Sequence, residues 1–199
     1  MSALQQPRLR IFMTGVGGQG TLTATTLLAR AALAAGLPVT SGEIHGMAQR
    51  GGVVESTLLI GYKSPKIGPG EADILLGFEP LETLRALPYL KPGGMVLSST
   101  EYLAPLSVAC GREDNPDIET IKARVGVCAG TARFLPCRSL GLQAGAVQSG
   151  NIALLGALCA LGALPFGVDI LADTVRATMK PKIADVNLKA LELGAAYLA

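Results

Sequence analysis

Apolar residues fall along this chain in two rhythms. Residues 8–14 hold Leu9, Ile11, Phe12 and Met13 in a near-continuous run, which suits a strand covered on both faces. Residues 20–35 are mostly Ala, Leu and Thr and stop at Gly36, with Pro38 beyond, so a helix is expected there. A short strand over 39–43 completes a βαβ unit. The stretch 53–60 alternates and is rich in β-branched residues, predicting a strand that is antiparallel or near an edge. A Pro- and Gly-containing loop over 61–70 leads to a buried strand over 72–78. A short helix over 79–90 has Glu82 and Arg85 on one face, and a turn at 91–94 precedes a strand over 95–99.

Further on the pattern is weaker. Strands are expected at 108–110 and 132–136, around a helix over 116–125. A long apolar helix is expected over 144–164. Ile183, Val186, Ala190, Leu193 and Tyr197 recur at helical spacing behind Pro181, predicting a closing amphipathic helix. The order of elements predicts one α/β domain over residues 1–199: three layers, Rossmann-like, with a largely parallel central sheet and helices on both faces.

Composition narrows the classes. Hydrophobic residues make up 49% of 199 positions and aromatics only 4%, so the core is built from Leu, Ala, Val and Ile. A net charge of +2, from scattered Lys and Arg, gives no basic stripe for nucleic acid. The longest apolar run, 152–166, is shorter than the roughly 20 residues of a bilayer span and contains glycine and proline, so no membrane segment is expected. The N-terminus lacks a signal-like pattern, which makes a cytoplasmic location the expectation. Cys110, Cys128, Cys137 and Cys159 form no Cys-x-x-Cys pair and have no histidine nearby, so no metal site is expected.

Two polar segments carry the candidate chemistry. Gly15, Gly17, Gly18, Gln19 and Gly20 form a glycine loop between the first strand and helix. Backbone without Cβ can approach a phosphate there, and the helix N-terminus favours an anion. Thr21 adds a hydroxyl. No lysine follows the last glycine, which excludes a nucleotide-hydrolysing P-loop. The bland alternative is a turn that permits tight helix–strand packing. Glu43, near the end of the second strand, stands where dinucleotide-binding proteins place a ribose-binding acid.

The second segment gathers His45, Gln49, Arg50, Gly51 and Gly52. His45 is either a proton shuttle or a loop-ordering residue bonded to backbone. Arg50 suits a carboxylate, a phosphate or a partner's carbonyls, or else an internal salt bridge with Glu43 or Glu55. Both segments follow strands of one βαβ unit and are expected side by side at the carboxyl end of the sheet.

Taken together, Gly15–Gly20 and the run Glu43-Ile44-His45-Gly46-Met47-Ala48-Gln49-Arg50-Gly51-Gly52 resemble the gamma domain of 2-oxoacid:ferredoxin oxidoreductases. Within that family the chain is most similar to the small (beta) subunit of the indolepyruvate enzymes. The likeness continues through 71–82, through Asn151 and 155–158, and into 182–194; Ala48 departs from the serine usual at its position. The resemblance implies a subunit of an enzyme that decarboxylates a 2-oxoacid with coenzyme A, using thiamine diphosphate, and passes electrons through iron–sulfur clusters to ferredoxin. The chain has no Gly-Asp-Gly thiamine motif and no cluster cysteines. The resemblance therefore implies a larger partner that bears these cofactors, with no catalytic residue here and no cofactor held by this chain alone. The rival readings are a free-standing dinucleotide-binding oxidoreductase, resting on Gly15, Gly17, Gly20 and Glu43, and a purely structural assembly protein.

Overall fold

The computed structural model describes residues 7–45, 52–103, 108, 110–111 and 115–198, and at His45 the backbone only. Six strands form one sheet: β1 (Leu9–Val16), β2 (Val39–His45), β3 (Val53–Ile60), β4 (Ala72–Gly77), β5 (Leu90–Ser99) and β6 (Thr131–Leu135), in the order β2-β3-β1-β4-β5-β6. β1 pairs parallel to β4, β4 to β5 and β5 to β6. β3 runs antiparallel to both neighbours and separates β1 from β2. Its alternating sequence did foretell an antiparallel strand. It is not at the edge, because β2 pairs with its outer side.

Helix α1 (Thr21–Ala34) follows β1. It ends where the sequence predicts: Gly36 has φ 73°, and Leu37 N–H donates to Ala32 O at 2.9 Å, a glycine-terminated Schellman end. With α4 (Cys137–Ala144), α5 (Gly150–Ala160), α6 (Val168–Thr178) and α7 (Pro181–Tyr197), α1 covers one face of the sheet, against Ile11, Met13, Leu58, Ile60, Ile74, Leu76 and Leu97. The other face carries Phe12, Leu59, Leu75 and Val96 under α2 (Pro80–Ala86) and α3 (Ile118–Cys128).

Several expectations need correction. The apolar helix expected over 144–164 is shorter: α4 ends at Ala144, a 3-10 turn spans Val147–Ser149, and only Gly150–Ala160 (α5) is α-helical. Gly145, at φ 125°, divides α4 from the turn. Helices α4 and α6 were not foreseen. Neither Val108 nor Cys110 lies in a strand; Val108 is helical and its carbonyl accepts from Gly111 N–H, closing a turn at a glycine of φ 67°. The turn expected at 91–94 lies inside β5, as an irregularity in its pairing with β4.

The closing helix buries only part of the predicted stripe: Ala190 is buried and Val186 and Leu193 pack against the core, but Ile183 and Tyr197 are exposed. Ala184, Asn187, Ala190, Leu191 and Gly194 face inward, whereas Ile183 is 53% exposed. The reason is packing at backbone distance. A Cβ on Gly156 of α5 would run into the Leu191 carbonyl, and one on Gly194 into the Ala153 carbonyl. Small residues, rather than large ones, let α5 and α7 meet.

Candidate functional site

The glycine loop caps the carboxyl end of β1. Val16 O accepts from Gln19 N–H at 3.1 Å, closing a turn in which Gly18 has φ 99° and Gly20 φ 78°. These left-handed conformations explain the glycines at those two positions. Gly20 caps α1, and a Cβ there would strike the Asn151 amide, whose Nδ2 donates to Gly20 O at 3.1 Å. Gly15 is also sterically required, since a Cβ would come within 2.8 Å of Gln19 Oε1 and 3.0 Å of Phe78 Cβ.

Gln19 is a brace. Its Oε1 accepts from Val16 N–H at 2.7 Å and its Nε2 donates to Phe78 O at 2.9 Å, tying the loop to the end of β4. Thr21 is buried, and its hydroxyl has no partner among the described residues. Thr23, one turn position further, lines the open space instead.

The second segment ends beside this loop, where Gly17 N–H donates to Gly52 O at 2.9 Å, but begins two strands away: His45 pairs with Val54, which in turn pairs with Gly15. Only the Gly52 flank meets the loop as the sequence expects. The His45 side chain, Gln49, Arg50 and Gly51 lie outside the described residues. Glu43 is exposed on the edge strand, opposite Ser56, which in turn pairs with Met13. With β3 between them, Glu43 stands two strand spacings, about 10 Å, from β1. That geometry removes the support for a ribose-binding acid next to the glycine loop.

Around the loop lies a groove of about 480 Å³, lined by Gly18, Gly20, Thr23, Ser149, Asn151 and Lys182 among others. A smaller cavity of about 170 Å³ adjoins it, sharing Gly18, Gln148 and Asn151 and reaching Arg138. Among the described residues no carboxylate lines either space. The N-termini of α1, α5 and α7 open on the groove, and none of the three has an acidic residue in its first turn. At α5 Gly150 N–H already donates to Val147 O, and at α7 Pro181 has no N–H and Ile183 N–H donates to Lys180 O at 2.9 Å. The open N–H groups of α1, the partial positive charge of the three termini and Lys182 are therefore what favour a polyanion. Asn151, Arg138, Gln148 and Lys182 went unread as site residues in the sequence. They come from distant segments, and only the fold brings them to the glycine loop.

Across β4 the charges reverse. Glu79 is fully buried and caps α2, its Oε2 accepting from Glu82 N–H at 2.9 Å; its other oxygen has no partner among the described residues. Glu82, 1% exposed, accepts from Arg85 Nη1 at 2.5 Å. Burial is the main force that pushes the Glu79 carboxyl up to about 7, and the charge of Glu82 adds to it.

Comparison with known proteins adds to this geometry. A profile of the pyruvate ferredoxin/flavodoxin oxidoreductase family matches residues 10–197. The chain belongs to this family. It is 40% identical over 190 residues to the indolepyruvate oxidoreductase subunit IorB of Archaeoglobus fulgidus, covering 94% of each chain. Among solved structures it resembles the pyruvate oxidoreductase subunit PORC of Thermotoga maritima, with TM-score 0.72 and 21% identity over 95% of this chain and 96% of that one. It also resembles the 2-oxoglutarate:ferredoxin oxidoreductase of Magnetococcus marinus, solved with 2-oxoglutarate, coenzyme A and succinyl-CoA bound. There the TM-score is 0.73 at 18% identity, over 98% of this chain and 31% of that one. This family member is a small subunit of a 2-oxoacid oxidoreductase of the indolepyruvate group.

Cys110 and Cys128 are exposed, Cys137 is buried and Cys159 is partly buried, each on a separate segment. Among the described residues no group of His, Cys, Asp or Glu could hold a metal ion. Burial pushes the Cys137 thiol up to about 12, which makes it inert as a nucleophile. No described helix is long and apolar enough to cross a membrane.

Proposed function

We propose that this chain, as one gamma-type domain over residues 1–199, serves an indolepyruvate or arylpyruvate:ferredoxin oxidoreductase in the cytoplasm. Its partner is a larger subunit that bears thiamine diphosphate and the iron–sulfur clusters and delivers electrons to ferredoxin. The small subunit's own contribution is to hold the phosphate portion of coenzyme A. Bound coenzyme A supplies the thiol that takes up the acyl group left after decarboxylation.

The observation that carries this reading is the groove at the glycine loop, which no described carboxylate lines, with three helix N-termini and Lys182 around it. Gly18 and Gly20 would offer backbone, and Lys182 and Arg138 a positive charge for each of two anionic groups. Of the residues expected from sequence, Gly15, Gly17 and Gln19 would keep the loop in shape, with Thr21 and Gly52 beneath and beside it. His45, Gln49, Arg50 and Gly51 would serve coenzyme A or the interface with the large subunit. Glu43 has no part in phosphate binding.

The test is steady-state kinetics of the assembled enzyme with Lys182→Ala. Loss of one exposed charge-assisted contact should raise KM for coenzyme A about tenfold. KM for the 2-oxoacid and kcat at saturating coenzyme A should stay unchanged. An unchanged KM for coenzyme A would remove the groove from the account.

A further inference from the structure

The sheet face opposite α1 is unevenly roofed. Helix α2 lies over β1, β4 and β5, and α3 over β5 and β6. Above β2 and β3 the cover is the loop over 61–71 together with Tyr89, and a cavity of about 390 Å³ lies between cover and sheet. That volume suits a small ligand. It shares no residue with the groove at the glycine loop.

Phe12, Thr57 and Gly42 form its floor, one residue from each of three neighbouring strands, in register. Phe12 stacks on Tyr89 with ring centroids 4.1 Å apart and planes 14° from parallel. Pro65, Ile67 and Ile44 add further apolar surface. Gly42 keeps the floor low; a Cβ there would come within 3.1 Å of Pro65 and 3.2 Å of Thr57 Oγ1.

Two carboxylates line this apolar space, Glu43 at the exposed edge strand and Glu55 on the floor side. Glu55 pairs with Thr14 across the strands, two residues on from Phe12, so it projects from the same face. Burial alone raises its pKa, and no described residue gives it a hydrogen bond or an ion pair. Lys66 lines the same cavity without pairing with it. A half-desolvated carboxylate with no partner among the described residues favours a cation seated beside it, which would offset the cost of its burial.

We propose that this cavity binds a small primary amine bearing an aromatic or branched apolar group, with Glu55 holding the ammonium and the Phe12–Tyr89 pair and Ile67 receiving the apolar part. The charge of Glu55 selects the amine over an acid of the same shape. The inference is independent of coenzyme A binding, because the two spaces are distinct.

The test takes the enzyme assembled from this chain and its large subunit, with 2-phenylethylamine and 3-phenylpropionate as probes of like size and opposite charge. Saturation-transfer NMR should show saturable amine binding, on the order of millimolar for a ligand of that size. Glu55→Gln should weaken it about tenfold, the modest figure reflecting the half-exposed charge. Ile44→Lys places a positive charge at a cavity position that is 67% exposed, and should weaken amine binding similarly while leaving Glu55 in place. The two variants distinguish this cavity from any aromatic site on the large subunit. The proposal is overturned if the amine shows no saturable binding, if the acid binds as well as the amine, or if neither variant changes amine binding.

Discussion

Helices α1 and α2 begin side by side, after parallel neighbours β1 and β4, and leave the sheet on opposite faces. Their N-termini are built in opposite ways. Helix α1 starts at Gly20, with no capping side chain and no acid in its first turn, and opens on a groove that no described carboxylate lines. Helix α2 starts at Glu79, which caps it, with Glu82 in its first turn, and both carboxyls are buried. One terminus carries its own anion; the other is left for an anion from outside. A helix N-terminus alone therefore does not mark a site, and the decisive feature is whether the chain has already satisfied it. The same criterion excludes α4, where Glu101 accepts from Ser139 N–H at 3.0 Å and from its hydroxyl at 2.5 Å.

The largest expected effect is at Gly20. Gly20→Ala forces a side chain onto a φ of 78° and into Asn151, whereas Gly18→Ala, at φ 99°, meets nothing within 4 Å. The left-handed backbone costs each variant about 1–2 kcal/mol. Only Gly20→Ala also displaces Asn151 and distorts the groove. KM for coenzyme A should rise on the order of a hundredfold for Gly20→Ala and far less for Gly18→Ala. Equal values for the two variants would mean that the groove has no special dependence on this cap.

The α2 side is tested by pH. The folded carboxyl of Glu79 titrates near 7, above its ordinary 4.5. Its proton therefore stabilises the fold fully below about pH 4.5, and that contribution is lost as pH rises through 7. The difference is worth on the order of 3 kcal/mol. Glu79→Gln keeps an acceptor for Glu82 N–H and does not titrate. Its unfolding free energy should lack the decline between pH 4.5 and 7 and exceed that of the unmodified chain at pH 8, with KM for coenzyme A unchanged. If the two profiles run parallel, Glu79 is not buried as an acid.

A smaller effect is expected at Arg50, which follows from sequence chemistry. Arg50→Ala should leave the thermal midpoint of the chain intact and weaken either assembly or coenzyme A binding by roughly ten- to a hundredfold. Arg50→Lys should restore little if the contact is bidentate. A loss of stability with normal kinetics after reconstitution would make Arg50 an internal residue of the scaffold.

The first half of the fold was legible because each element there announces itself locally. The buried run of β1, the glycine stop of α1 and the alternation of β3 need no tertiary information. The helices after β6 were harder. Helix α5 is apolar all round and has no stripe to read, and its partner α7 meets it through Gly156 and Gly194, so the hydrophobic periodicity found Val186, Ala190 and Leu193 but missed the small residues of the contact. The site was half legible for a similar reason. Gly18 and Gly20 show in the sequence as a motif, but Asn151, Arg138 and Lys182 become site residues only through the packing of α4, α5 and α7 beside the loop. Gln19 lines the smaller cavity, but its amide also braces the loop to Val16 and Phe78, and Thr21 is buried under the loop, neither of which the motif shows.

The claim that α1 and not α2 receives the external anion is tested most directly by hydrogen–deuterium exchange of the assembled enzyme with and without coenzyme A. Protection on binding should appear over residues 16–24, 147–153 and 180–184, with residues 79–86 unchanged. Protection confined to the large subunit, or centred on residues 79–86, would contradict it.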